Sequence, residues 1–159
     1  MVPPLAGIFR INTDATIQDS NQLIGVGEIV RDSGGQVLAS SVQRFSTCFS
    51  PHVAEATTIL RGLLFAVDSG LLPAVLESDA RWVVDLIDSN ETAFADLGVV
   101  ICDIVSLKKQ FDVSISFLSR CANKAAHSLS KLALKWMISF GSSPILLAFD
   151  SVILDDCLA

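Results

Sequence analysis

The chain has 159 residues, which is enough for one domain with a substantial core and too few for two. Its composition is 51% hydrophobic, but charges interrupt each long apolar run before it reaches the length of a membrane span. The net charge of −6 argues against a protein that holds nucleic acid through a broad basic surface, although it leaves room for a local basic stripe.

The N-terminus and the cysteines indicate a compartment. MVPPLAGIFR lacks the basic start and long apolar segment of a secretory signal, so we expect an intracellular protein without membrane contact. The four cysteines lie far apart and form no C-x-x-C pair, which suggests neither a zinc cluster nor a redox motif. Reduced thiols are therefore expected.

The first third of the chain predicts three strands. GIFRINTD (7–14) alternates as a strand does and is followed by DATIQDSNQ, which has the composition of a turn. A second strand is predicted over 23–30, and RDSGG (31–35) turns the chain back into a third strand over 36–45. These segments form an antiparallel meander.

After residue 50 the apolar period becomes helical and continues to Gly70, a typical helix end. PAVLES (73–78) predicts a short buried strand, followed by helices over 81–90 and 96–110. VSISFLS (113–119) predicts a fifth strand and 122–137 a last helix. The order βββαβααβα implies an α/β fold with a mixed five-stranded sheet, three antiparallel strands and then βαβ units, and helices on both faces. We assign 7–138 to this domain and 139–159 to a C-terminal tail without a chemical role.

Three carboxylates are predicted to meet at one edge of the sheet. Asp14 ends the first strand, Asp79 ends the fourth, and Glu55 lies in the first turn of the helix between them. The carboxyl ends of parallel strands form the edge where open α/β sheets bind ligands. Because Glu55 shares a stripe with Ile59 and Gly62, we expect it to point inward. Its helix should expose Thr58, Arg61 and Asp68.

Each acid also has a simpler interpretation. Asp79 could cap the following helix, and Asp14 could be a turn residue at the end of its strand. Glu55 could be an ordinary first-turn glutamate that the helix dipole favours. Three converging acids repel one another, however, and a hard divalent cation with oxygen ligands relieves that repulsion. We therefore favour a metal site.

Five segments carry a resemblance to a known family: FRINTDA, GVGEIVRDSGGQVL, SPHVAEATTILRGLLFAVDSGL, AVLESDARWVVDLI and FLSRCANKAAHSLSKLAL. In order and spacing, over residues 8–134, they resemble the ribonuclease H-like domains of plants and plant retroelements, the reverse-transcriptase-like family. The resemblance implies an enzyme that cleaves the RNA strand of RNA–DNA hybrids with two Mg²⁺ (or Mn²⁺) ions. It makes Asp14, Glu55 and Asp79 the metal ligands and catalytic residues.

His127 departs from the family's pattern, since well-studied members carry a fourth aspartate at this position. Imidazole suits Mg²⁺ less well than a carboxylate does, so we expect the second metal to bind weakly. As a candidate catalytic residue, His127 would contact a phosphate or help the product leave. Alternatively, it lies on the outer face of its helix, away from the acids.

A basic stripe on the last helix supplies the candidate nucleic-acid-binding residues, Lys124, Lys131 and Lys135. A solvated polar face explains the same pattern equally well. The basic protrusion of some family members is missing, in agreement with the acidic composition.

The sequence is compatible with two main functions. One is a metal-dependent endoribonuclease acting on RNA–DNA hybrids. The other is a ribonuclease H-like module with weak or no activity that binds nucleic acid. A third interpretation makes the chain a segment of a larger retroelement-derived protein. The sequence makes no prediction of the oligomeric state.

Overall fold

The computed structural model describes residues 6–47, 49–89, 91, 95–136 and 145–147. The elements in chain order are β1 (Phe9–Gln18), β2 (Leu23–Arg31), β3 (Val37–Ser46), α1 (Pro51–Asp68), β4 (Ala74–Ser78), α2 (Arg81–Ser89), α3 (Ala95–Gln110), β5 (Val113–Phe117), α4 (Lys124–Trp136) and β6 (Ile145–Leu147). Single 3₁₀ turns follow β1 (Asp19–Asn21) and precede α4 (Arg120–Ala122). The ends of two predicted helices, Asn90 and Met137, lie outside the described residues.

The strands form one mixed sheet in the order β5-β4-β1-β2-β3-β6. β1 pairs antiparallel with β2, β2 antiparallel with β3, and β1, β4 and β5 run parallel. The predicted five-stranded α/β architecture is thereby confirmed, with an additional short strand. That strand, β6, comes from the segment predicted as a tail and pairs antiparallel with β3 at Ser40–Val42. The boundary at 138 remains a prediction.

The predicted end of β1 at Asp14 is wrong, because the strand continues to Gln18. The polar residues of DATIQDSNQ suggested a turn, yet alternate residues Ala15 and Ile17 pack into a small apolar cluster with Ile24 and Val26 of β2. The parallel ladder with β4 does stop at the pair Thr13 and Ser78. Asp14 therefore lies just beyond the last parallel pair, although it is in the middle of its own strand.

The helices cover both faces of the sheet, as predicted. α1, α2 and α3 bury one face around Ile11, Leu63 and Leu76, whereas α4 alone packs on the other face against Ile29 and Val42. None of the helices in the described part of the chain is long and apolar enough to cross a membrane.

Glycines let α4 rest directly on β2. A Cβ at Gly27 would collide with the carbonyl oxygen of Ala126 and the amide of Ser130, and one at Gly25 would collide with the carbonyl oxygen of Ser130. Since only a residue without a side chain fits there, the helix backbone lies close to the strand. This contact fixes the height of His127 and Ser130 above the neighbouring strand, β1.

Candidate functional site

Asp14 is the centre of a hydrogen-bonded group between β1 and α4. Its side chain is 7% exposed, its Oδ2 lies 2.9 Å from His127 Nδ1, and it accepts a 2.8 Å hydrogen bond from Ser130 Oγ. Thr16 Oγ1 extends the group with a 2.6 Å contact to Ser130 Oγ. Because the carboxylate is the acceptor, His127 carries its proton on Nδ1, which leaves Nε2 directed away from Asp14.

The structure thus places His127 at the acids and not on the outer face of its helix. Its side chain is 37% exposed, so the ring is reachable from solvent. The lysines predicted beside it behave differently. Lys124, Lys131 and Lys135 are all exposed, which fits either a substrate-facing stripe or a solvated face.

Asp79 follows β4 directly, as predicted, and its carboxylate is 11% exposed. It accepts a 3.0 Å hydrogen bond from Arg120 Nε, on the 3₁₀ turn before α4. The Arg120 side chain is 80% exposed, and the hydrogen bond and charge of Asp79 raise its pKa. Because solvent around the exposed Arg120 side chain screens this ion pair, it contributes little to stability, and Arg120 can leave without a large loss in the free energy of unfolding.

Glu55 differs from its prediction in two respects. α1 begins at Pro51 with Ser50 as its N-cap, so Glu55 lies beyond the first turn. Its side chain is 36% exposed and not buried, and its Oε2 is 4.0 Å from His52 Nδ1. The predicted exposure of Thr58 is wrong too, since its hydroxyl is buried and donates to the carbonyl oxygen of Ala54.

The three acids nevertheless share one electrostatic environment. Burial raises the pKa of Asp14, and the charge of Asp79 raises it further against the hydrogen bonds from His127 and Ser130. Partial burial raises the pKa of Glu55, with Asp79 and Asp14 adding to the effect while His52 and Arg120 oppose it. The charge of Asp79 thus acts on both other carboxylates, which places the three acids together at the edge where β1 and β4 diverge.

This donor set fits a hard divalent cation, since carboxylate oxygens are the ligands that Mg²⁺ and Mn²⁺ accept. The present side-chain orientations do not themselves form a coordination sphere: among the described residues, no group of three His, Cys, Asp or Glu side chains is positioned to hold a metal ion. Each acid instead faces one basic partner, in the pairs Asp14–His127, Glu55–His52 and Asp79–Arg120. All three partners are at least 37% exposed, so a cation can displace them.

A buried polar network lies on β1 and β4, two residues before the acids. Asn12 Nδ2 donates a 2.8 Å hydrogen bond to Glu77 Oε2, and Asn12 and Glu77 are partners in the parallel register. Arg10 Nε lies 3.4 Å from the same carboxylate, and Arg31 donates to Asn12 Oδ1 at 2.8 Å. Because Asp14 and Asp79 follow Asn12 and Glu77 by two residues each, this link fixes the relative position of the two acids.

Exposed aromatic and basic side chains surround the acids. Trp82, at 51% exposure, lies against the His52 ring with the centroids 4.3 Å apart. The Arg81 guanidinium lies 3.9 Å from the centroid of the exposed Phe117 ring. Aromatic faces and cations are the groups that stack on bases and bind phosphates.

The sequence interpretation missed several of these residues. Arg120 and Ser130 lie within a segment that carried the family resemblance, and Ser130 is one turn after His127. Glu77 directly precedes the Ser78-Asp79 pair. The helical spacing of Ser130 was an available signal, whereas the contact of Arg120 with Asp79 joins residues 41 positions apart and needs the fold.

Comparison with known proteins agrees with this geometry. The family model described as reverse transcriptase-like matches residues 12–133. Comparison with curated protein sequences gave no match.

Three solved structures illustrate the likeness in fold. RNase H1 from Halobacterium salinarum is 21% identical with a TM-score of 0.73, covering 80% of this chain and 97% of that one. The N-terminal RNase H domain of Rv2228c from Mycobacterium tuberculosis is 25% identical with a TM-score of 0.70, covering 80% and 93%. LC11-RNase H1, isolated from compost by a metagenomic approach and solved with an RNA/DNA hybrid, is 19% identical with a TM-score of 0.71, covering 82% and 99%.

The family match spans most of the chain and includes Asp14, Glu55 and Asp79. The TM-scores of 0.73 and 0.70 show that the fold is that of the solved RNase H structures. The chain therefore belongs to the reverse transcriptase-like family and has the ribonuclease H-like fold.

Proposed function

We propose that the protein is a metal-dependent endoribonuclease that cleaves the RNA strand of RNA–DNA hybrids. The observation that carries the proposal is the grouping of three acids at the edge between β1 and β4, where the charge of Asp79 raises the pKa of both Asp14 and Glu55. Family membership and the hybrid bound by LC11-RNase H1 support the choice of substrate.

In this proposal Asp14, Glu55 and Asp79 hold Mg²⁺ or Mn²⁺. Two such ions, when bound, supply an activated water and neutralise the charge on the leaving oxygen. Asp14 Oδ2 is oriented by Ser130, and its bond to His127 directs the other imidazole nitrogen away from the carboxylate. From there Nε2 would contact a phosphate oxygen of the substrate or of the departing strand.

Arg120 is assigned a positioning role. In the absence of a cation it neutralises Asp79, and its 80% exposure lets it swing to a substrate phosphate once the carboxylate has another partner. The adjacent rings of His52 and Trp82 would stack against a sugar or a base next to the cleavage point. Lys124, Lys131 and Lys135 would bind phosphates further along the strand.

The second candidate is a module that binds hybrids without cutting them. It is favoured by the basic side chain that faces each acid, since these contacts hold the three carboxylates without metal. We also propose that the domain acts within a larger protein. In the foamy viral protease-reverse transcriptase solved with an RNA/DNA hybrid, the matching part is 19% of that chain, with 13% identity and a TM-score of 0.60.

A cleavage assay separates the two candidates. The full chain is incubated with an end-labelled RNA–DNA hybrid, and with single-stranded RNA, duplex RNA and duplex DNA of the same sequence, in Mg²⁺, in Mn²⁺ or in EDTA. We expect cutting of the RNA strand of the hybrid alone, and only with metal. Hybrid that is bound but stays whole in both metals would favour the binding module.

A further inference from the structure

We infer that the groove between the end of β1 and the last turns of α4 is a nucleotide subsite for the nucleic-acid strand that passes the acids. This inference rests on the proposed function and extends it to a second location. The groove has a volume of about 400 Å³ and is lined by Gln18, Asn21, Leu23, Lys131, Leu134 and Lys135.

The groove exists because of how α4 sits on the sheet. At Gly25 a Cβ would meet the Ser130 carbonyl oxygen and the Leu134 side chain, so helix and strand touch there. The open space lies next to this contact, at Leu23, where β2 begins and Leu134 forms part of the wall. The two leucines of the lining are half-buried, whereas its amides and amines are exposed.

The lining has the chemistry of one nucleotide. Lys131 and Lys135 are exposed cations suited to phosphate, and the leucines offer an apolar surface to a base or a sugar. The amides of Gln18 and Asn21 can donate to and accept from a 2′-hydroxyl or a base edge.

Charge distribution supports a polyanion as the occupant. The chain has 17 acidic residues against 11 lysines and arginines, yet α4 carries three lysines and no aspartate or glutamate. A basic helix in an acidic protein attracts phosphate locally, and this attraction weakens as the salt concentration rises.

The groove is also aligned with the acids. Asp14 and Gln18 are four residues apart and face the same side of β1, which corresponds to about 13 Å along an extended strand. On α4, His127 and Lys135 are eight residues apart, which corresponds to about 12 Å along the helix axis. The groove thus lies about 13 Å beyond the acids along β1, so that a strand passing the acids would reach it within a few nucleotides.

Binding of a fluorescent RNA–DNA hybrid to the full chain in EDTA, over a series of salt concentrations, tests the subsite. Lys131→Ala/Lys135→Ala should reduce the slope of log K against log salt by about two, since each lost phosphate contact removes about 0.9. Gln18→Glu, which changes the charge at nearly constant shape, should weaken binding with both lysines present. The matched controls on α3, across the sheet, are Lys108→Ala/Lys109→Ala and Gln110→Glu, and they should bind as the wild type does.

The outcomes separate this inference from the proposed activity. Groove variants that bind no worse than the α3 controls would overturn the subsite, even if the wild type cuts hybrid. A wild type that never cuts hybrid, but loses affinity only with the groove variants, would overturn the activity and leave the subsite standing. A wild type that does not bind hybrid at all would overturn both.

Discussion

Glu28 on β2 offers a quantitative test of the structure. Its side chain is fully buried, and neither carboxylate oxygen has a hydrogen-bond partner among the described residues. Burial raises the pKa of Glu28 from 4.5 to about 7. Its neighbour on β3, Ser41, and the charge of Arg61 oppose this rise but do not cancel it. The folded protein therefore holds a proton at Glu28 that the unfolded chain releases.

The sign of the pH dependence follows from this difference. Because the pKa is raised in the folded state, the stabilisation by the bound proton is complete below pH 4.5 and is lost as the pH rises to about 7. A shift of this size corresponds to about 3 kcal/mol in the free energy of unfolding. Glu28→Gln removes the titration while keeping the shape of the side chain.

Urea denaturation of both proteins at pH values from 4 to 8, without metal, measures this effect. As the pH rises from 4 to 8, the wild type should lose this stabilisation and Glu28→Gln should not. The free energy of unfolding of the variant, relative to that of the wild type, should therefore increase by about 3 kcal/mol over the series. The exposed Glu91→Gln serves as the control and should show no such gain. A difference between wild type and Glu28→Gln that is independent of pH would refute the reasoning.

Two further predictions concern the residues around the acids. Glu77→Gln removes the carboxylate charge that accepts the hydrogen bond of Asn12 and lies 3.4 Å from Arg10 Nε. Because a buried hydrogen bond to a charged group contributes about 2 kcal/mol, the free energy of unfolding should fall by about that amount in urea denaturation, and a loss below about 0.5 kcal/mol would contradict the role of the network. His127→Asp should shift the metal preference in hybrid cleavage from Mn²⁺ towards Mg²⁺, because a carboxylate replaces a nitrogen donor beside Asp14. The same ratio of the Mn²⁺ rate to the Mg²⁺ rate in wild type, His127→Asp and His127→Ala would exclude His127 from the site.

The sequence predicted the order of the elements because their hydrophobic periods are strong. It failed at the end of β1, where a polar composition concealed a regular alternation. Asp14, Thr16 and Gln18 lie on the face towards α4, while Ala15 and Ile17 pack on the opposite face. A test for period two, and not for polarity, would have found the longer strand.

The acids could be predicted from their places on the elements, but their partners could not. Asp79 and Arg120 are 41 residues apart, and Asp14 and His127 are 113 residues apart. Contacts over such separations depend on the strand order and on the glycines that bring α4 down to β2. The burial of Glu28 could not be predicted either, because a single acid in LIGVGEIVR is typical of a solvent-facing position in an alternating strand.

The most direct measurement of the central claim is cleavage of one RNA–DNA hybrid by the wild type and by Asp79→Asn, under identical Mg²⁺ conditions, with the thermal stability of both proteins recorded. We expect the wild type to cut the RNA strand and Asp79→Asn to leave it whole. Without metal, the variant should remain folded and be as stable as the wild type or slightly more stable, since the substitution removes the Asp79 charge beside Asp14 and Glu55. Added Mg²⁺ should stabilise the wild type more than the variant. Equal cleavage by the two proteins would contradict the claim that Asp14, Glu55 and Asp79 form the catalytic centre.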